Sequence, residues 1–206
     1  MSSSKSRRHR PQKKKSHKKL IAIVGFFVVI GLIVGVVAFT SGGNNSGPVN
    51  VRLETSMGNI VIQLRDDMPI TTSNFVGLVQ QGVYNNTIFH RVVNLQGDLV
   101  IIQGGDPTGT GYGDPSISSI PDEFSENQEH NKNERGTIAM ANAGANSGSS
   151  QFFINGEYNS HLDNVHPVFG DVIEGKDVVD EILNVQTDAD DKPVEDVVLV
   201  TATLVD

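Results

Sequence analysis

Twenty consecutive residues, "LIAIVGFFVVIGLIVGVVAF" from Leu20 to Phe39, carry no charged side chain. At about 1.5 Å of helical rise per residue they reach ~30 Å, the thickness of a bilayer hydrocarbon core. The run divides the chain into two unlike parts. Before it stand nine Lys and Arg, from Lys5 to Lys19, and no acid. From residue 40 onward seven basic residues meet all twenty-four acids, a formal charge of −17 beneath the overall −8. A basic flank ahead of an apolar span predicts a cytoplasmic tail over 1–19, a transmembrane signal anchor over 20–39 and a C-terminal part outside the cell membrane, in a single-pass arrangement. Two other readings stay open. One is a signal peptide cleaved near Ala38, giving a secreted protein, although h-regions usually hold ~7–15 apolar residues. The other is a basic tail for nucleic acid, which the acidity of the remainder argues against.

"TSGGNNSGP", residues 40–48, reads as a flexible linker spanning ~15–18 Å root-mean-square. The chain has no cysteine, so the domain over 49–206 must hold together through its apolar core alone. Val49, Val51 and Leu53, then Ile60, Ile62 and Leu64, alternate around Gly58-Asn59 and predict a β-hairpin turning there. "PITTSNFVGLVQQG" predicts a helix capped by Thr71 or Thr72, with Phe75, Leu78 and Val79 on one face and Gly82 as its stop. "TIFHRVV", "LVIIQ", "GTIAMAN", "SQFFIN", "HPVFGDVI" and "DVVLVTATLV" read as strands, and "GKDVVDEILN" as a second helix with Val178, Val179, Ile182 and Leu183 inward. The segment from Asp106 to Arg135 reads as loop. Many short strands and two helices predict a mainly β fold, a closed or nearly closed antiparallel barrel with helical lids.

Several chemistries can be weighed on residue type. His90, Asp106 and Ser149 could be assembled into a hydrolytic triad, but no G-x-S-x-G elbow surrounds a serine. "HLDNVH" offers His161, Asp163 and His166 as ligands, yet it reads as a loop without a third histidine nearby, so no metal and no cofactor is expected. "GGDPTGTGYGD" is rich in glycine but has neither the lysine nor the following helix of a phosphate loop. Arg91 stands apart as one positive charge within an apolar strand pattern. It would present a planar fork of donors at the edge of a cleft, or simply pair with one of the many acids on the surface.

The segments "FHRVV", "IIQGGDPTGTG", "GTIAMANAGANSGSSQFFIN" and "LDNVHPVFGDVIEGKDVVD" resemble, in order, the cyclophilin family of peptidyl-prolyl cis/trans isomerases. The resemblance runs from about Val49 to Val205. It implies an eight-stranded antiparallel barrel capped by two α-helices, here preceded by a transmembrane helix, in a membrane-anchored form of bacterial or archaeal origin. It further implies Arg91 as the catalytic arginine with His90 beside it, and Gln103 as the glutamine that positions arginine and substrate. The peptide would lie along the backbone of Ala141 and Asn142, with Gln151 and Phe153 in the cleft, Phe153 forming the proline pocket, and Leu162 and His166 as its far wall.

Two departures from the family pattern bear on function. Eleven residues, "VVNLQGDLVII", separate Arg91 from Gln103 where seven are usual, which puts Val100 and Ile101 at the positions of the family's pocket phenylalanine and methionine and predicts a bulge of four residues near the cleft mouth. His161 falls where many members carry tryptophan, so cyclosporin is expected to bind weakly. The partners implied are Pro-containing segments of unfolded or exported proteins, and the membrane through one helix. Isomerisation needs neither proton transfer nor a covalent intermediate, which accords with the missing acid/base pair. A related barrel that binds Pro-containing peptides or acts as a chaperone with little turnover remains the alternative.

Overall fold

A computed structural model describes residues 48–205. The basic tail, the predicted transmembrane helix and the linker through residue 47 lie outside the described residues. Among the described residues no helix is long and apolar enough to cross a membrane.

The chain opens as the expected hairpin, β1 (Asn50–Thr55) and β2 (Gly58–Leu64), with Val51 opposite Ile62 and Leu53 opposite Ile60. Its turn lies earlier than predicted. Thr55 pairs with Gly58, so Ser56-Met57 make the reversal, and the Thr55 hydroxyl donates to the Gly58 carbonyl at 2.7 Å. Gly58 and Asn59 belong to the strand.

Helix α1 (Pro69–Gln80) places Pro69 in its first turn, where a missing N–H costs nothing. Neither Thr71 nor Thr72 caps it. The free amides of Ile70 and Thr71 are instead met by the carboxylate of Glu123, at 3.1 and 2.8 Å, from a loop more than fifty residues away. A carboxylate also suits the positive end of the helix dipole. The stop is the one expected: Gly82 sits at φ +70, its N–H donates to the Val79 carbonyl, and Val83 N–H donates to that of Leu78. That pair of bonds is a Schellman ending, which needs a left-handed residue at this position.

Seven further strands follow: β3 (Thr87–Ile88), β4 (Arg91–Leu95), β5 (Leu99–Gly104), β6 (Thr137–Met140), β7 (Phe152–Asn155), β8 (Val168–Glu174) and β9 (Val198–Val205); helix α2 (Lys176–Leu183) lies between the last two. All pair antiparallel in one sheet of order β3-β9-β1-β2-β8-β6-β7-β5-β4. The strand count is therefore nine, not eight. Only Phe89 and His90 separate β3 from β4, yet these strands form opposite edges of the sheet. The sheet must curl to bring these edges to one corner, where Ile88 bridges to Asp106 just beyond the end of β5. Among the described residues no ladder pairs β3 with β4, so the sheet is a curled half-barrel and not the closed barrel expected. Splitting the predicted strand "TIFHRVV" at this corner accounts for the extra strand.

Alternation along the strands sorts side chains onto two faces. Val100, Ile102, Phe152 and Ile154 join the larger core, where Phe75 of α1 packs against Tyr84, Phe152 and Phe169 at centroid distances of 5.1, 5.7 and 5.1 Å. α2 adds Val179, Ile182 and Leu183 to the same core, with Val178 partly buried against it. The intervening residues Ile101 and Phe153 point the other way, into a smaller cluster with Val93, Ala139 and Val168. This second cluster lies beneath the cleft that forms the candidate site.

Candidate active site

The site is a row across neighbouring strands. Arg91 pairs with Gln103, Gln103 with Phe153, Phe153 with Ala139, and Ala139 with Val168, so one register line carries five residues from β4 to β8. With strands ~4.8 Å apart, the backbone of Arg91 stands about two strand spacings from that of Phe153. Above the row lies a cleft of about 290 Å³ lined by Arg91, Leu99, Ile101, Gln103, Ala141, Asn142, Phe153, Leu162 and His166. Eight of these nine are residues that the resemblance singles out, drawn together from 76 positions of sequence.

Leu99 is the ninth, and sequence reasoning missed it. The extra residues after Arg91 do not bulge at the cleft mouth. They lengthen the β4–β5 hairpin, with Val93 opposite Ile101 and Leu95 opposite Leu99, and only Gln96, Gly97 and Asp98 form its tip. Counting back from Gln103 by twos reaches Ile101 and Leu99 on the cleft face. Val100 therefore points into the main core, 1% exposed, and does not line the cleft. Period-two alternation from Gln103 would have revealed the exchange.

His90, Gln151 and His161 are also outside the lining. His90 is buried beside the site, and its two ring nitrogens have no hydrogen-bond partner among the described residues. Burial depresses its pKa, Asp106 opposes that effect, and Arg91 adds to it, so the ring is neutral near pH 7. Gln151 stands behind Gln103: its carbonyl oxygen accepts the Gln103 amide at 3.0 Å, and its own amide donates to the Gly111 carbonyl at 3.0 Å. His161 is exposed in the short 3₁₀ turn Ser160–Leu162.

The far wall is held from beneath by buried amides. Asn133 donates to the carbonyls of Leu162 (3.0 Å) and His166 (3.4 Å). Asn155 donates to Asn133 and Thr137, and Asn159 donates to Asn155 and to the Val100 carbonyl while accepting the Val100 N–H. These asparagines are at most 1% exposed, and each bond they make would otherwise be an unpaired polar group. His166 Nδ1 lies 3.2 Å from the Met140 carbonyl, which fixes that nitrogen as the donor and leaves Nε2 free. Its ring stands edge-on to Phe153 at 5.3 Å, and burial holds its pKa below the usual histidine value despite that carbonyl. Of the three residues of "HLDNVH" considered as metal ligands, Asp163 accepts the Asn133 N–H and the Tyr158 hydroxyl, His166 bonds the Met140 carbonyl, and His161 is exposed.

The glycine-rich turn is occupied by its own carboxylate. Asp106 is fully buried and accepts from the N–H groups of Thr108, Gly111 and Gly113 and the Thr108 hydroxyl, at 2.7 to 3.1 Å. Burial works to raise its pKa, but these bonds hold it below the usual carboxylate range. The amides that a phosphate loop would offer a ligand are already satisfied.

Arg91 has a partner that the sequence did not specify. Its Nε and Nη2 both lie 3.3 Å from one oxygen of Asp191, and both side chains are 41% exposed. The plain reading of Arg91 as half of a surface ion pair is thus realised, and the arginine still lines the cleft. Gln103, expected to position it, makes its side-chain bond to Gln151 instead.

An antiparallel sheet curled around an aromatic core, with a cleft outside it joining one arginine to an apolar floor, defines a class of binding fold. The comparisons identify that class. The family model for cyclophilin-type peptidyl-prolyl cis-trans isomerases matches residues 50–204. The chain is 41% identical over 162 residues to the peptidyl-prolyl cis-trans isomerase CYP18-2 of Arabidopsis thaliana, covering 77% of this chain and 95% of that one. It is 42% identical over 156 residues to the human peptidyl-prolyl cis-trans isomerase-like 1, covering 75% and 92%. A cyclophilin-type isomerase of Cryptosporidium parvum, whose crystal structure was determined in the presence of the dipeptide Ala-Pro, superposes with a TM-score of 0.69 at 31% identity, covering 76% of this chain and 99% of that one. The chain belongs to the cyclophilin-type peptidyl-prolyl cis-trans isomerases. These relatives are eukaryotic, and the expectation of a bacterial or archaeal source finds no counterpart among them.

Proposed function

We propose that the chain is a membrane-anchored isomerase, of the prokaryotic kind, that turns prolyl bonds in exported or cell-surface proteins as they fold. The observation that carries the catalytic part is the row Arg91–Gln103–Phe153, which sets a fixed cation beside an apolar floor. A peptide bond resists rotation by ~18–20 kcal/mol through its partial double-bond character. Twisting it removes conjugation and makes the proline nitrogen pyramidal and a better acceptor. Phe153, Ile101 and Leu99 receive the proline ring and exclude water. Arg91 donates to the twisted nitrogen, or to the proline carbonyl so that the preceding residue rotates. Asn142 and the backbone of Ala141 hold the extended peptide, with Gln103 and Gln151 as the polar edge, and Leu162 and His166 close the far side.

Turnover within milliseconds requires the barrier to fall by roughly 5–7 kcal/mol, at 1.36 per tenfold. A donor already aimed at developing charge supplies ~3–4 kcal/mol, and holding the ring in the reactive conformer accounts for the remainder. His90 supports the strand corner next to Arg91 without exchanging a proton. The Ala-Pro dipeptide named with the Cryptosporidium structure supports the same class of ligand for this cleft. With an exposed histidine at position 161 in place of an indole, cyclosporin binds weakly.

The anchor and the outward orientation rest on the basic tail followed by the apolar run 20–39. Membrane fractionation with protease protection tests them: a retained, outward-facing domain is expected, and a soluble full-length chain would overturn the anchor. For the catalytic part, Arg91→Ala in the full chain is expected to lose most isomerase activity toward a prolyl peptide. Wild-type turnover in that variant would sink the mechanism. A variant series that keeps peptide affinity while wild type shows no rate enhancement would favour the binding-module reading.

A further inference from the structure

We propose that Asp191 is the positioning residue for Arg91, replacing the glutamine contact expected from the family pattern; this deepens the reading above and rests on Arg91 acting in the cleft. An arginine carries ~2 kcal/mol of rotamer entropy, and one that is 41% exposed samples many poses unless something holds it. Among the described residues its side chain hydrogen-bonds only to Asp191. One carboxylate oxygen takes the Nε–Nη2 edge of the guanidinium, and the Nη1 side remains available to a peptide. At 3.3 Å the contact is longer than the ~2.7–2.9 Å of a tight charge-assisted bond, so it orients the cation without quenching it.

The carboxylate is itself delivered by a built turn. Asp191 adopts φ +62, a left-handed conformation that Asp and Asn tolerate better than most residues. Its carbonyl accepts the Val92 N–H at 2.8 Å, tying the turn to β4 one residue past Arg91. Asp188 Oδ1 accepts the N–H groups of Asp190 and Lys192 at 2.9 Å each, and Asp188 N–H donates to the Lys192 carbonyl at 2.8 Å. The loop between α2 and β9 is thus folded on itself and fastened beside the arginine from exactly one hundred residues away.

The test compares Asp191→Asn and Asp191→Gly, both compatible with the left-handed backbone, in the full chain, alone and combined with Arg91→Ala. Exchange spectroscopy on a prolyl peptide at high enzyme concentration keeps slow variants measurable. Both single variants are expected to lose about tenfold in kcat with KM little changed, because the held pose matters most in the transition state. In the Arg91→Ala background neither should lose anything further. Raising ionic strength from roughly 0.02 to 0.5 M should slow wild type toward the Asp191→Asn rate and leave that variant flat, since the pair is exposed to salt. Asp191 variants with wild-type kcat, or an equal loss with and without Arg91, would overturn the positioning role. Full activity in Arg91→Ala alone would instead overturn the reading on which it rests.

Discussion

The two sides of the cleft are built on opposite principles. The wall of Leu162 and His166 is fastened by Asn133, Asn155 and Asn159, all buried, with their amides committed to backbone, to another asparagine or to the Thr137 hydroxyl. The edge at Arg91 is held by a single ion pair open to solvent. A buried network is costly to break, because its loss leaves unpaired polar groups in a medium of low dielectric. An exposed pair contributes little to stability, of the order of 0–1 kcal/mol, so it can orient the arginine without being needed for the fold. The comparison teaches that the shape of this cleft is tied to folding energy, while the orientation of its cation rests on a contact that the fold does not need.

Arg91→Ala should show the largest effect, a fall of about 10²–10³ in kcat/KM with the melting temperature nearly unchanged. A variant that also unfolds readily would show the arginine to be structural. Asn155→Ala should do the reverse, costing about 3 kcal/mol of stability in denaturant titration, with turnover of the remaining folded protein much less affected. An Asn155→Ala protein as stable as wild type would break the contrast. Asp106→Asn should cost about 2 kcal/mol, because one acceptor oxygen becomes a donor facing backbone N–H groups.

The pH dependence sharpens the same contrast. Burial depresses both His90 and His166. As pH falls through about 6.5, the unfolded chain takes up protons that the folded chain refuses, so stability declines below that pH and is level above it. The melting temperature should be lower at pH 5.5 than at 7.5, and His90→Leu should narrow the gap. Asp67 and Asp106 are depressed carboxylates, so the stability they contribute is lost only at still lower pH and does not enter this window. Turnover by an always-charged Arg91 should stay nearly constant from pH 7 to 9; a steep bell there would move the chemistry to a histidine. The smallest change is expected from Leu99→Phe, which rebuilds an aromatic wall and should tighten a prolyl peptide by less than about fivefold, measured by titration.

Much of the fold was legible along the chain because its signals are local. Alternation in "VNVRLE" and "NIVIQL" placed two strands, Gly82 ended α1, and Val179, Ile182 and Leu183 gave α2 its inner face. The hairpin turn was misplaced because Gly58-Asn59 looks more turn-like than Ser56-Met57, and strand register overrode that preference. The motifs carried most of the cleft in the same way: Arg91, Ile101, Gln103, Ala141, Asn142, Phe153, Leu162 and His166 arrive together once β4 to β8 pair. Val100 was exchanged for Leu99 because the length of an insertion does not say whether it bulges or extends a hairpin.

What the sequence determined by itself is the division of charge, the apolar run of residues 20–39, the antiparallel β character and, through its motifs, eight of the nine residues that line the cleft. What only the tertiary structure decided is who holds them. Glu123 reaches α1 from more than fifty residues away, the asparagines meet beneath the far wall, and Asp191 finds Arg91 across one hundred. Such partners leave no periodic mark in sequence, because their distance along the chain is set by how the sheet curls and not by the repeat of a helix or strand.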